Sequence, residues 1–172
     1  MFSELFSRRQ LVSILKWTLY ALLFLFAMLL QQIVLPKIPI GGITLCVVPI
    51  CAACVGVQEG AEHTALYGLL CGAAFCLSGV SCGPIYLIGI CLSAVLAGAL
   101  CDQYYTRSFA SALLLSVLGL VICEGSAFLF RLYIGTVAAR FWQTVLIPEI
   151  LLSLFAFPLF YLGAWAISKI GR

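Results

Sequence analysis

Three groups of residues in this 172-residue chain have types and spacings that could do chemistry. The first is Glu59, Glu62 and His63. A metal ion would use such groups, but a helical zinc site needs paired histidines, and His63 is the single histidine of the chain. No metal is expected. The acids read instead as the opening of a helix, where the dipole favours negative charge. The second is Cys51-Ala-Ala-Cys54, a CxxC that in a thioredoxin-like unit would exchange thiols. Here it lies in an apolar run, and a quinone-coupled thiol oxidase would need a second pair where Cys82 stands alone. The third is Glu124 with Arg131 and Glu149. Arg131 lies two helical turns from Glu124 on one face and is its first candidate partner, with Arg140 the second. Two readings stand for this group. One is a binding or proton site; the other is an intramembrane ion pair that fixes how two helices pack.

The elements that must position these residues are apolar. Hydrophobic residues make up 65% of the chain and charged residues 9%. Mean hydropathy is +1.21. A soluble domain carries about a quarter of its residues as charges. Long apolar runs broken by short polar turns predict an all-α polytopic membrane protein, and the absence of period-two alternation excludes a barrel. Six transmembrane helices are expected, at Trp17–Leu35, Ile43–Val57, Thr64–Val80, Pro84–Cys101, Phe109–Tyr133 and Val145–Ser168. The second is short and carries Pro49, so a kinked or re-entrant course is expected there.

This divides the chain into a cytoplasmic segment 1–16, one six-helix domain 17–168 and a cytoplasmic tail 169–172. No cleaved leader is expected, since the first apolar run is long enough to span and no small-residue cleavage site follows it. With both ends inside, Arg8, Arg9, Lys16, Arg107, Lys169 and Arg172 face the cytoplasm, while Lys37, Arg131 and Arg140 lie outside. That distribution obeys the positive-inside rule. The net charge of +3 is modest and mostly terminal, so nucleic acid is not an expected partner. The nine cysteines are odd in number and lie mostly inside apolar runs, where a thiol acts as a small hydrophobe.

Small residues recur at helical spacing. Thr64, Gly68, Gly72 and Cys76 form one line, and Gly89, Ser93, Ala97 and Cys101 another. Such lines let backbones approach closely. A three-residue turn joins the two spans, so an antiparallel hairpin with its small faces together is predicted; helix packing and a partner-binding surface both remain open. No catalytic triad, phosphate loop or glycosidase-like carboxylate pair is present. No catalytic residue and no cofactor is assigned, and the chain is read as a non-enzyme.

The order of features resembles the bacterial rod shape-determining protein MreD family. The first span closes through Leu30-Gln31-Gln32-Ile33-Val34-Leu35-Pro36, then Pro39-Ile40-Gly41-Gly42. Next come Glu59-Gly60-Ala61, the Gly68-to-Gly72 helix and Ser78-Gly79. The resemblance covers residues 12–101. Thr44-Leu45 stands where the family carries Pro-Asp, and Cys76 where it carries an acid.

The resemblance implies a multi-pass scaffold of the cell-elongation complex in the bacterial plasma membrane. Its partner would be an MreC-like bitopic protein, and through that MreB filaments and the peptidoglycan synthases. The family is also similar in architecture to the substrate-binding S components of energy-coupling-factor vitamin transporters. That similarity supplies a rival expectation, in which Glu124, Arg131 and Glu149 would meet a solute. The first span lacks the Ala-x3-Ala surface of S components, carrying only Ala21 and Ala27 among bulky residues. A thiol oxidoreductase built on Cys51 and Cys54 is a third.

Overall fold

The computed structural model describes residues 8–37, 45–79, 83–135 and 147–170. Helix α1 is Arg8–Leu29 and continues through a π-helical turn, Leu30–Val34, and a 3-10 turn, Leu35–Lys37. Helices α2 (Val48–Glu59), α3 (Ala61–Leu77), α4 (Gly83–Gln103) and α5 (Phe109–Tyr133) follow. Helix α6 (Ile147–Ser153) passes through a 3-10 turn into α7 (Phe157–Ser168).

Hydrogen bonds at the helix ends set the directions. Lys16 on α1 meets Glu59 on α2, and Ala61 opening α3 meets Asp102 closing α4. At the opposite end Gln31 meets Val47, and Gln32 meets Ser78. The first four helices therefore run in alternating directions.

Four stretches are long and apolar enough to cross a membrane: Gln10–Val34, Gly83–Gln103, Phe109–Tyr133 and Ile147–Ser168. The other two expected spans are shorter helices, α2 with 12 residues and α3 with 17. At 1.5 Å per residue these reach about 18 and 25 Å, against a hydrocarbon core of about 30 Å. Pro49 does not kink α2; it occupies the first turn, where its missing N–H leaves no bond unmade. The start of α1 also differs from the expected boundary at 16, because Leu11, Ile14 and Leu15 already carry the helical period. The Gly41-Gly42 turn, the Ser81-Cys82 turn and Arg140 lie outside the described residues.

Helix α2 is the axis of the bundle. Every residue from Val48 to Gln58 is buried, in keeping with a helix that is hydrophobic all round. It packs on α4, α5, α7, α3 and α1. The start of this short central helix is buried, so its first N–H groups must find acceptors inside the protein. Gln31 supplies the acceptor: its Oε1 takes Val47 N at 3.0 Å and Val48 N at 3.1 Å. Ser153 Oγ takes Cys46 N at 2.9 Å. Gln31 sits in the π-helical turn of α1, a local irregularity of the kind found at functional positions.

Candidate functional site

Charged side chains gather at one end of the bundle and tie α1 to α2 and α3 to α4. Lys16 Nζ donates to Glu59 Oε2 at 2.7 Å, and Tyr20 OH donates to Glu59 Oε1 at 2.6 Å. Glu59 is thus the anchor of the α1–α2 contact rather than part of a metal site. Gly60 takes φ +85°, a left-handed value that suits glycine and lets α2 turn into α3. Asp102 Oδ2 then accepts from Ala61 N at 3.1 Å. Arg107 bridges Asp102 at 3.1 Å and the Gln58 carbonyl at 2.8 Å. Glu62 and His63 point outward and are exposed. Among the described residues no cluster of histidine, cysteine and acidic groups could hold a metal ion.

The small-residue line of α3 faces α4 as expected, whereas the line of α4 does not face α3. On α3, a Cβ at Gly68 would lie 3.0 Å from Ala94 Cβ and 3.1 Å from Cys91 Cα. One at Gly72 would lie 2.8 Å from the Leu87 carbonyl oxygen. Thr64 is buried on the same face, and its hydroxyl bonds the Gly60 carbonyl. Cys76 lies against Gly83. The partner surface on α4 is thus Leu87, Cys91 and Ala94. Gly89 and Ser93 turn away from α3 and meet Cys123 and Gly119 of α5, while Ala97 meets Gly56 of α2. At 100° per residue, the 89/93 line lies nearly opposite residue 91. Helix α4 therefore packs closely on two sides, and the two small lines do not face each other.

Glu124 is 4% exposed, deep in α5. Its Oε2 accepts from Tyr86 OH at 2.8 Å; its Oε1 makes no hydrogen bond among the described residues, though the Cys46 thiol lies close to the carboxyl. The charge of Arg131, its first expected partner, also acts on this carboxyl, while the direct hydrogen bond comes from Tyr86. Seven residues displace Arg131 by about 10.5 Å along the axis, and Tyr86 from the neighbouring helix is nearer. The thiol of Cys46 lies within the fields of both Glu124 and Glu149. The two glutamates and Cys46 thus belong to one polar region at the start of α2. Chemically it offers a buried carboxyl with one open oxygen. Neither Tyr86 nor Cys46 carried a sequence signal; Gln31 stood in the quoted motif, but its capping role did not.

Cys51 and Cys54 are both fully buried, facing Tyr67 OH at 3.9 Å and Ser116 Oγ at 3.7 Å. The eight cysteines among the described residues are free thiols.

On the lateral surface, α1 and α3 are held apart by aromatic rings. Tyr67 lies 6.2 Å from Trp17 and 6.5 Å from Phe24, and Tyr67 OH donates to the Tyr20 carbonyl at 3.2 Å. A groove of about 630 Å³ runs between the two helices.

No family model, no curated protein and no solved structure matches this chain. The fold and geometry define the class: an all-helical, membrane-type bundle wound around a buried apolar helix.

Proposed function

We infer that the chain is a non-catalytic integral membrane scaffold of the bacterial cell-elongation complex. In this reading it sits in the plasma membrane with six crossings and both ends inside. It binds an MreC-like bitopic protein and so helps couple MreB filaments to peptidoglycan synthesis. The filled centre of the bundle carries the reading: α2 occupies the space between α4, α5 and α7 with apolar side chains. The ordered motifs support it through their structural roles. Gln31 caps α2, Glu59-Gly60-Ala61 makes the pinned turn, and Gly68 with Gly72 closes α3 on α4. Depletion in the native cell is the test. Rods should widen and round up, and the chain should co-purify with a single-span protein. Unchanged width and shape after full depletion overturns the reading.

One observation favours a second reading, a solute-binding S component. Glu124 is a buried carboxyl with an open oxygen, and such a group inside a membrane bundle marks a binding site by default. A thermal-shift screen of water-soluble vitamins separates the two. A submicromolar ligand whose shift vanishes in Glu124→Gln selects the transporter; no shift across the panel selects the scaffold.

A further inference from the structure

We propose that the groove between α1 and α3 is a binding site for a phospholipid whose headgroup carries a primary ammonium. The proposal needs only that these helices face a bilayer, and it stands or falls independently of the elongation reading.

The groove is apolar along its length. Ala21 and Phe24 line it from α1, and Leu66, Leu70 and Ala74 from α3, with Tyr67 at its floor. Small side chains, Ala21 low in the groove and Ala74 high in it, leave room beside the rings. From His63 to Ala74 the lining extends about 17 Å along α3, at 1.5 Å per residue. A lipid acyl chain, a single file of methylene groups, can lie along a groove of about 630 Å³ and this length. In a bilayer such a space fills with acyl chain, because an apolar wall left without contacts loses its dispersion energy.

The polar end selects the headgroup. Glu62 borders the groove at the charged end of the bundle and has no ion pair or hydrogen bond among the described residues. Lys16, a cation at the same end, is committed to Glu59. Beside Glu62, the His63 ring stacks on Trp17 at 6.2 Å and 17°, a flat aromatic rim of the kind found at membrane interfaces. An uncompensated carboxylate above an apolar channel repels anionic headgroups and attracts an ammonium, which can donate up to three hydrogen bonds to it. A quaternary choline cannot donate any.

Native mass spectrometry of the full chain, delipidated in detergent and titrated with phosphatidylethanolamine, phosphatidylcholine or phosphatidylglycerol, tests this. Phosphatidylethanolamine should give a one-to-one adduct retained about fivefold better than the other two, the scale of one partly exposed ion pair. Glu62→Gln should erase that preference while lowering the melting temperature only slightly, because Glu62 is exposed, has no ion pair or hydrogen bond among the described residues and gives up only its first-turn helix-dipole interaction. Ala74→Phe, which fills the groove from an exposed position, should abolish the adduct of every headgroup. Equal retention of the three lipids overturns the proposal, as does a preference that survives Glu62→Gln. It is also overturned if Ala74→Phe leaves the lipid bound and instead releases a co-purifying single-span protein.

Discussion

The two long faces of α3 are built from similarly apolar residues and do opposite things. On one face Thr64, Gly68 and Gly72 bring the backbone against α4, so closely that an added Cβ at Gly72 would lie 2.8 Å from a carbonyl oxygen. On the other, Leu66, Tyr67 and Leu70 hold α1 at a distance and leave a groove. Hydropathy does not separate these faces; side-chain volume does. Where helices share an apolar solvent, association is driven by packing, and small residues set how near two backbones come. The same helix can therefore close one seam and hold another open.

The largest way to break this contrast is Gly72→Val. Two methyl groups and a Cβ would be forced into the Leu87 backbone, and a destabilisation of about 3 kcal/mol is expected. Unfolding measured by steric trapping in bicelles would show it; a loss under about 0.5 kcal/mol would mean that α3 and α4 separate easily. A middle effect is expected from Tyr67→Phe, which keeps the ring spacing but removes the hydroxyl bonded to the Tyr20 carbonyl. The same measurement should read about 0.6–1 kcal/mol, in line with buried hydrogen bonds in membrane bundles. Leu70→Ala on the open face should be smallest, within about 0.5 kcal/mol, since Leu70 is 61% exposed. A large loss at Leu70 would show that the groove is a closed interface in the native assembly.

A parallel contrast separates the partly buried Glu59 from the buried Glu124. Glu59 has a lysine and a tyrosine on separate oxygens, while Glu124 has one tyrosine and an open oxygen. Removing the charge at each should therefore diverge. Glu59→Gln weakens the α1–α2 tie, whereas Glu124→Gln keeps the Tyr86 bond and leaves stability the same or higher. Parallel unfolding curves of the two variants would test that order.

Much of this was legible from residue patterns. Helix α5 has the expected limits, and the short second apolar run is the short helix α2. The break between α2 and α3 falls in the expected polar turn 58–63, but is narrowed to Gly60 alone. The partner of Glu124 was not legible. Spacing along one helix ranks Arg131 first, yet the hydroxyl that reaches it comes from α4, 38 residues away. Nor could the facing of Gly89 and Ser93 be read, because α4 carries small residues on two sides and only its neighbours decide which pairs with α3.

The amino-acid sequence by itself determined that the chain is helical and lipid-soluble, where its polar turns fall, and which helix faces are small. These follow from composition and from a 3.6-residue period, which are local properties. Only the tertiary structure decided that α2 is the buried axis, that Gln31 and Ser153 cap it, and that Glu124 keeps an open oxygen. It alone left a groove between α1 and α3. Each of these depends on which side chains arrive from distant elements, and in an almost uniformly apolar chain hydropathy cannot distinguish one arrangement of faces from another. Volume and a few hydrogen bonds make that choice.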